Sequence, residues 1–154
     1  MLNKKGKHIS MIRTASVDEL GGIIRFMKKF EDTTDHVKVD IDYAIESYGR
    51  LMKRGVLTVF VMEEGDEITG SLSFLKSPSM NDGILTAVEL WWFMDPEHRG
   101  NGLQLFDAFE KSARDQGCKR FAMIHMVDSF PDKLESLYKR RGYGLIEKHY
   151  VKEL

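Results

Sequence analysis

The sequence predicts a mixed α/β (α+β) fold: a mostly antiparallel central sheet with helices on both faces. Three observations carry that expectation. The apolar period switches repeatedly between that of a strand and that of a helix. Two strand-like runs, "VLTVFVM" and "ITGSLSF", are joined by the polar "EEGDE", the pattern of a hairpin. Finally, Asp95-Pro96 and glycines at 100 and 102 separate a long strand-like run from a helical one. A chain of 154 residues with 42% apolar content is ample for one domain and short for two.

In chain order, residues 1–8 are polar and read as a flexible N-terminus ahead of one domain over 9–154. "ISMIRTA" reads as a first strand. Ser16 to Glu19 has capping-box spacing, and Leu20, Ile23, Ile24, Met27 and Phe30 follow at helical intervals. "EDTTDH" is a polar loop. A second helix over Asp40 to Lys53 turns Ile41, Ile45, Tyr48 and Met52 inward, with Gly55 after it. The hairpin comes next, and a turn at Asn81-Asp82-Gly83 leads into a strand over 84–94. Leu103, Phe106, Phe109 and Ala113 then mark a helix that stops at Gly117. "RFAMIHMV" reads as a strand over 120–127, "PDKLESLYKRR" as a helix, and "YGLIEKHYVKEL" as terminal strands. No internal repeat or linker interrupts the chain.

Composition excludes several functions. A net charge of −1 lacks the basic footprint of a nucleic-acid binder. One cysteine, Cys118, excludes an intrachain disulfide and a cysteine-rich metal site, and fits a reducing compartment. No apolar run is long enough to span a membrane, and "MLNKKGKHIS" lacks a signal-peptide core, so the expected location is cytoplasmic. No histidine–carboxylate group has metal-ligand spacing.

The turn "HRGNGLQ" is the feature that asks for a ligand. Backbone N–H groups at the start of a helix have no intrahelical partners, and the helix dipole adds partial positive charge, so an anion is the natural guest. The alternative is plain turn chemistry. A Walker loop needs Gly-Lys-Ser/Thr, which is missing. A dinucleotide fingerprint needs a third glycine where Leu105 stands.

The run "ELWWFMDPEHRGNGLQLFDAFEKSARDQG", followed by a strand and then "LYKRRGY", resembles the GNAT superfamily of N-acetyltransferases, in particular the small bacterial and phage type. That family writes its acetyl-CoA loop Arg/Gln-x-x-Gly-x-Gly/Ala, matched by Arg99 and Gly102, with Gln104 at the last position. The resemblance implies a GNAT-like domain with a splayed strand pair and acetyl-CoA as acetyl donor. Amides of Gly100, Asn101, Gly102, Leu103, Gln104 and Leu105 would cradle the pyrophosphate, with Arg99 assisting. The pantetheine arm would pair along Trp92, Phe93 and Met94 like an added strand. The run Lys139-Arg140-Arg141 either approaches the phosphates or is a solvated helix end. Two departures stand out: Gln104 replaces a small residue, and Pro131 stands where the family often has asparagine.

Acetyl transfer to an amine needs a neutral nucleophile. For a lysine-like amine, deprotonation at pH 7 costs about 4.6 kcal/mol, so a positioned base helps, as does an acid for the departing thiolate. The resemblance puts Tyr138, the tyrosine of "LYKRRGY", in the acid role; the alternative is an amphipathic core tyrosine. Glu89 is the base candidate, a carboxylate inside the apolar run "TAVELWWFM"; the alternative is a solvent-facing or paired glutamate. His125 is the runner-up base, and His98 reads as exposed and non-catalytic. Of Trp91, Trp92 and Phe93, alternation sends at least one to the core. The acidic loop from Glu31 to Asp40 would favour a cationic acceptor or is simply solvated. The expected activity is direct transfer to a primary amine, on a small molecule or a protein, without metal, nucleic acid or membrane, and with a homodimer left open. The rival is a non-catalytic CoA-binding or interaction module on the same fold; a longer acyl donor is a further option.

Overall fold

The computed structural model describes residues 10–31 and 38–154. The expected flexible residues 1–8 lie outside these, as do 32–37, most of the acidic loop. The described residues divide into two units, one ending at Ile124 and one running His125–Leu154.

The first unit is a five-stranded sheet in the order β1 (Met11–Thr14), β2 (Leu57–Glu64), β3 (Glu67–Pro78), β4 (Leu85–Met94), β5 (Arg120–Ala122). The first three pairings are antiparallel, with short turns joining β2 to β3 and β3 to β4, whereas β4 and β5 run parallel because a helix crosses between them. Helices α1 (Leu20–Lys28) and α2 (Ile41–Lys53) cover one face and α3 (Gly102–Asp115) the other. Coverage of both faces explains why the middles of β2 and β3 are buried almost continuously, with little alternation between faces.

Local sequence sets the helix ends. The Glu19 carboxylate accepts from Ser16 N at 2.8 Å, and a 3-10 turn over Val17–Glu19 leads into α1. Asp40 caps α2 by accepting from Tyr43 N at 3.0 Å, and Gly55 follows at φ +69°. The hairpin closes at Gly65, φ +64°. Between α3 and the sheet, Phe74, Phe106 and Phe109 are fully buried with ring centroids 5.3–6.2 Å apart. Each such burial is worth roughly 2–3 kcal/mol, so the axis of α3, and the direction of its first turn, is fixed by packing.

The second unit holds α4 (Pro131–Arg140), whose cap residue Phe130 is left-handed at φ +49°. Two expectations fail here. The strand expected over 120–127 stops at Ala122, because the next N–H available for pairing, that of Ile124, is taken by a side chain rather than a ladder carbonyl. The terminal strands do not form: a strand needs a ladder partner, and residues 143–154 pair with none among the described residues. Leu145, Ile146, Tyr150 and Val151 are correspondingly exposed.

Candidate active site

Strand β4 carries two irregularities that define the site. The register of β3 against β4 passes from Ser73↔Trp91 to Phe74↔Glu89, so Leu90 is an inserted residue. Leu90, Trp91 and Phe93 consequently pack with the α1–α2 side, while Ala87, Trp92 and Met94 pack with the α3 side. Alternation from Leu85 and Ala87 puts Glu89 on the α3 side, a face that counting back from Met94 would not have given. The second irregularity is the end of the β4–β5 ladder, which covers only Thr86–Val88. From Glu89 to Met94, β4 has no partner on that edge among the described residues.

Glu89 sits where the two strands part. It is 5% exposed, and its Oε2 accepts from Ile124 N at 3.0 Å. Burial pushes its carboxyl up to about 8, and the single N–H donor only partly offsets that. A carboxyl in this state holds its proton at low pH and becomes a strong acceptor as pH passes 8.

Beyond β4, Asp95 caps a 3-10 stretch, Pro96–Asn101, by accepting from Glu97 N at 2.9 Å. Helix α3 starts at once, and the N–H of Gly102 donates back to Arg99 O, so this amide is used inside the protein. Leu105 is the first residue with an i−4 carbonyl, that of the cap Asn101. Leu103 and Gln104 have none within α3, and both are exposed. The two glycines differ. A Cβ on Gly100 would meet no heavy atom within 4 Å; one on Gly102 would sit 3.2 Å from Met94 Cγ and 3.6 Å from the Trp92 ring. Neither has a positive φ. Gly102 is thus required by the approach of α3 to β4, and Gly100 alone leaves an open approach.

His98, read from sequence as exposed, is half-buried: Nε2 lies 3.3 Å from Glu64 Oε2 and Nδ1 3.7 Å from Asp95 Oδ1. Asn101 directs its amide to Ser10 and Glu64 rather than outward. Sequence reasoning missed Glu64, and no local signal marks it, since its partners Ser10, His98 and Asn101 are all distant in the chain.

Trp91 is core: Nε1 donates to Ser71 Oγ at 3.0 Å, and its ring meets Tyr48 edge-on at 4.9 Å. Phe93 stacks with Phe30 at 6.2 Å. Trp92 leans on Phe106 at 5.6 Å. Buried Cys118 has its thiol pushed up by desolvation, consistent with an inert side chain.

In the second unit, Tyr138 is buried on α4 with its ring edge-on to His125 at 6.4 Å and tilted against Tyr143 at 5.9 Å. His125 Nε2 lies 2.9 Å from the Pro131 carbonyl, which can only accept. His125 therefore donates there, and that nitrogen is spent on fastening the start of α4. Lys139 pairs with Glu135 at 2.6 Å, as a solvated helix end does. Among the described residues no group could hold a metal ion, and no helix is long and apolar enough to cross a membrane.

The acetyltransferase (GNAT) family model matches residues 23–143. Among solved structures, the transcriptional regulator from Bacillus halodurans C-125 is similar with a TM-score of 0.76 and 18% identity, covering 95% of this chain and 100% of that one. An aminoglycoside acetyltransferase from an uncultured soil metagenomic sample has a TM-score of 0.74 and 13% identity, over 95% and 99%. A predicted acetyltransferase with acetyl-CoA from Clostridium acetobutylicum has a TM-score of 0.72 and 14% identity, over 94% and 96%. At these identities the likeness concerns the fold. No curated protein matches the chain in sequence.

Proposed function

The chain belongs to the acetyltransferase (GNAT) family, and from that premise we propose that it transfers an acetyl group from acetyl-CoA directly to a primary amine. The observation that carries the reading is Glu89, a nearly isolated buried carboxyl at the point where β4 loses its β5 partner.

The residues present fit the donor. Gly100 leaves open approach, and the amides of Leu103 and Gln104 supply donors with the favourable end of the α3 dipole behind them. The six residues from Glu89 to Met94 expose about 20 Å of strand edge, along which Trp92, Phe93 and Met94 would pair with the amides of an extended pantetheine arm. Arg99, exposed beside Gly100, adds positive charge for the phosphates. When bound, acetyl-CoA supplies the activated acyl group.

Glu89 accepts the ammonium proton, directly or through one water, which frees the nitrogen lone pair to form the C–N bond as the C–S bond breaks. At pH 7 a carboxyl titrating near 8 is about one-tenth ionised, so the rate should climb with pH to a plateau above 8. Tyr138 gives its phenolic proton to the departing thiolate, a role that rests on its place in "LYKRRGY". His125 is the weaker base candidate because its Nε2 already donates to Pro131. A cytoplasmic setting would supply both donor and acceptor.

A panel of polyamines, aminoglycosides, amino acids, N-terminal peptides and lysine peptides, followed by release of free CoA thiol, tests the reading. Release that depends on an amine supports it and names the acceptor class. CoA binding in calorimetry with no release across the panel would instead leave a binding module.

A further inference from the structure

We propose that Glu64 is the positioning residue of the donor site: it holds the 96–101 stretch, and so the first turn of α3, against the end of the β2–β3 hairpin. This rests on reading that turn as the site of the CoA phosphates. Three side chains from two separate pieces of the chain converge on this carboxylate. From the segment before β1, Ser10 Oγ donates to Oε1 at 2.7 Å. From the cap of α3, Asn101 Nδ2 lies 3.5 Å from the same oxygen and 3.3 Å from Ser10 Oγ. From the middle of the 3-10 stretch, His98 Nε2 is 3.3 Å from Oε2. Glu64 thus grips the stretch at His98 and at Asn101, either side of Arg99 and Gly100.

The backbone of this stretch is tied to its own residues and, through Asp95 N to Thr69 O at 2.8 Å, to β3. Gly100 contributes no side chain. Short 3-10 geometry is weakly held on its own, and amides bind an anion well only if their directions are fixed beforehand. A carboxylate with Ser, Asn and His around it supplies that fixation from a rigid hairpin, because charge-assisted hydrogen bonds are the stronger class. Glu64 itself does not touch the donor; it acts through Asn101 and His98.

Glu64→Ala should weaken free CoA binding in calorimetry about tenfold, the equivalent of one charge-assisted hydrogen bond, and raise KM for acetyl-CoA by the same factor. The kcat at saturating acetyl-CoA should stay within twofold. Glu64→Gln keeps an oxygen for Ser10 and Asn101, and should recover most of the affinity. Amide exchange over residues 96–105 should quicken in Glu64→Ala and return toward normal in Glu64→Gln. A Glu64→Ala chain with unchanged exchange and unchanged CoA affinity overturns the proposal; so does a fall in kcat with KM unmoved. If Glu64→Ala fails to fold, Ser10→Ala gives the same test from the other side of the cluster. A wild-type chain that binds no CoA overturns the reading of the site, while exchange in the same variants still decides whether Glu64 anchors the turn.

Discussion

Glu89 and Glu64 are both strand glutamates in the first unit, and they are surrounded in opposite ways. Glu89 is 5% exposed and holds one backbone N–H. Glu64 is half-buried among a hydroxyl, an amide and an imidazole. A carboxylate starved of donors is costly to ionise and therefore basic, which suits proton transfer; one rich in donors is a fixed acceptor, which suits holding a loop. Under the proposed function the two sites would divide the work, one governing the chemical step and the other the approach of the donor. Experiments that move one without the other test that division.

The largest expected effect is on turnover. Glu89→Gln keeps an acceptor for Ile124 N–H but cannot take a proton, so kcat should fall about 10²–10⁴-fold with CoA affinity unchanged in calorimetry. The variant should also lose the rise in rate through pH 8. An unaltered pH–rate profile would transfer the role of base elsewhere.

The same substitution should stabilise the fold at high pH. With a folded value near 8 against an ordinary 4.5, Glu89 keeps its proton in the native state after the unfolded chain has released its own. Stability of the wild type is therefore lost as pH rises from about 4.5 to 8, by on the order of 5 kcal/mol, and is flat above. Glu89→Gln removes that slope. Thermal unfolding at pH 5 and pH 9 should show the variant gaining roughly 10 °C on the wild type between the two; parallel curves would mean that Glu89 is solvated.

Tyr138→Phe probes the second unit. Because a thiolate leaves more readily than an amine, loss of its acid should cost less than loss of the base, about 10–100-fold in kcat, with CoA binding intact. An unchanged rate would make Tyr138 a core residue beside His125 and Tyr143.

The legible parts of the sequence were those where local chemistry decides. Ser16/Glu19, Asp40, Gly55, Gly83 and Gly117 announced the helix ends and turns, and apolar periodicity placed α1, α2, α3 and α4. Glu89 was noticeable because a carboxylate in "TAVELWWFM" is expensive unless it has a purpose. Its face was not legible, since the insertion at Leu90 is a property of the β3–β4 register and not of either strand alone. Glu64 was invisible because its partners come from positions 10, 98 and 101. The terminal run "YGLIEKHYVKEL" has strand-forming residues but no ladder, and propensity without pairing gives no strand.

The smallest expected effect separates the two glycines of the turn. From sequence, the amides of both belonged to the expected pyrophosphate cradle. In the structure, a Cβ at 102 would press on Met94, whose sulfur already fills the space beside Gly70 that a side chain there would need. Met94 is thus confined from both sides. Gly102→Ala should therefore cost about 1–2 kcal/mol of stability, despite the usual gain of alanine over glycine in a helix. Gly100→Ala meets nothing and should leave stability within about 0.5 kcal/mol, while its methyl group faces the approach of the phosphates and lowers CoA affinity a few-fold. Denaturant midpoints and CoA titrations on this pair would show stability lost at one position and affinity at the other. If both variants lost stability, Gly100 would be a packing residue too; if both lost only affinity, the contact of α3 with β4 would be looser than Met94 implies.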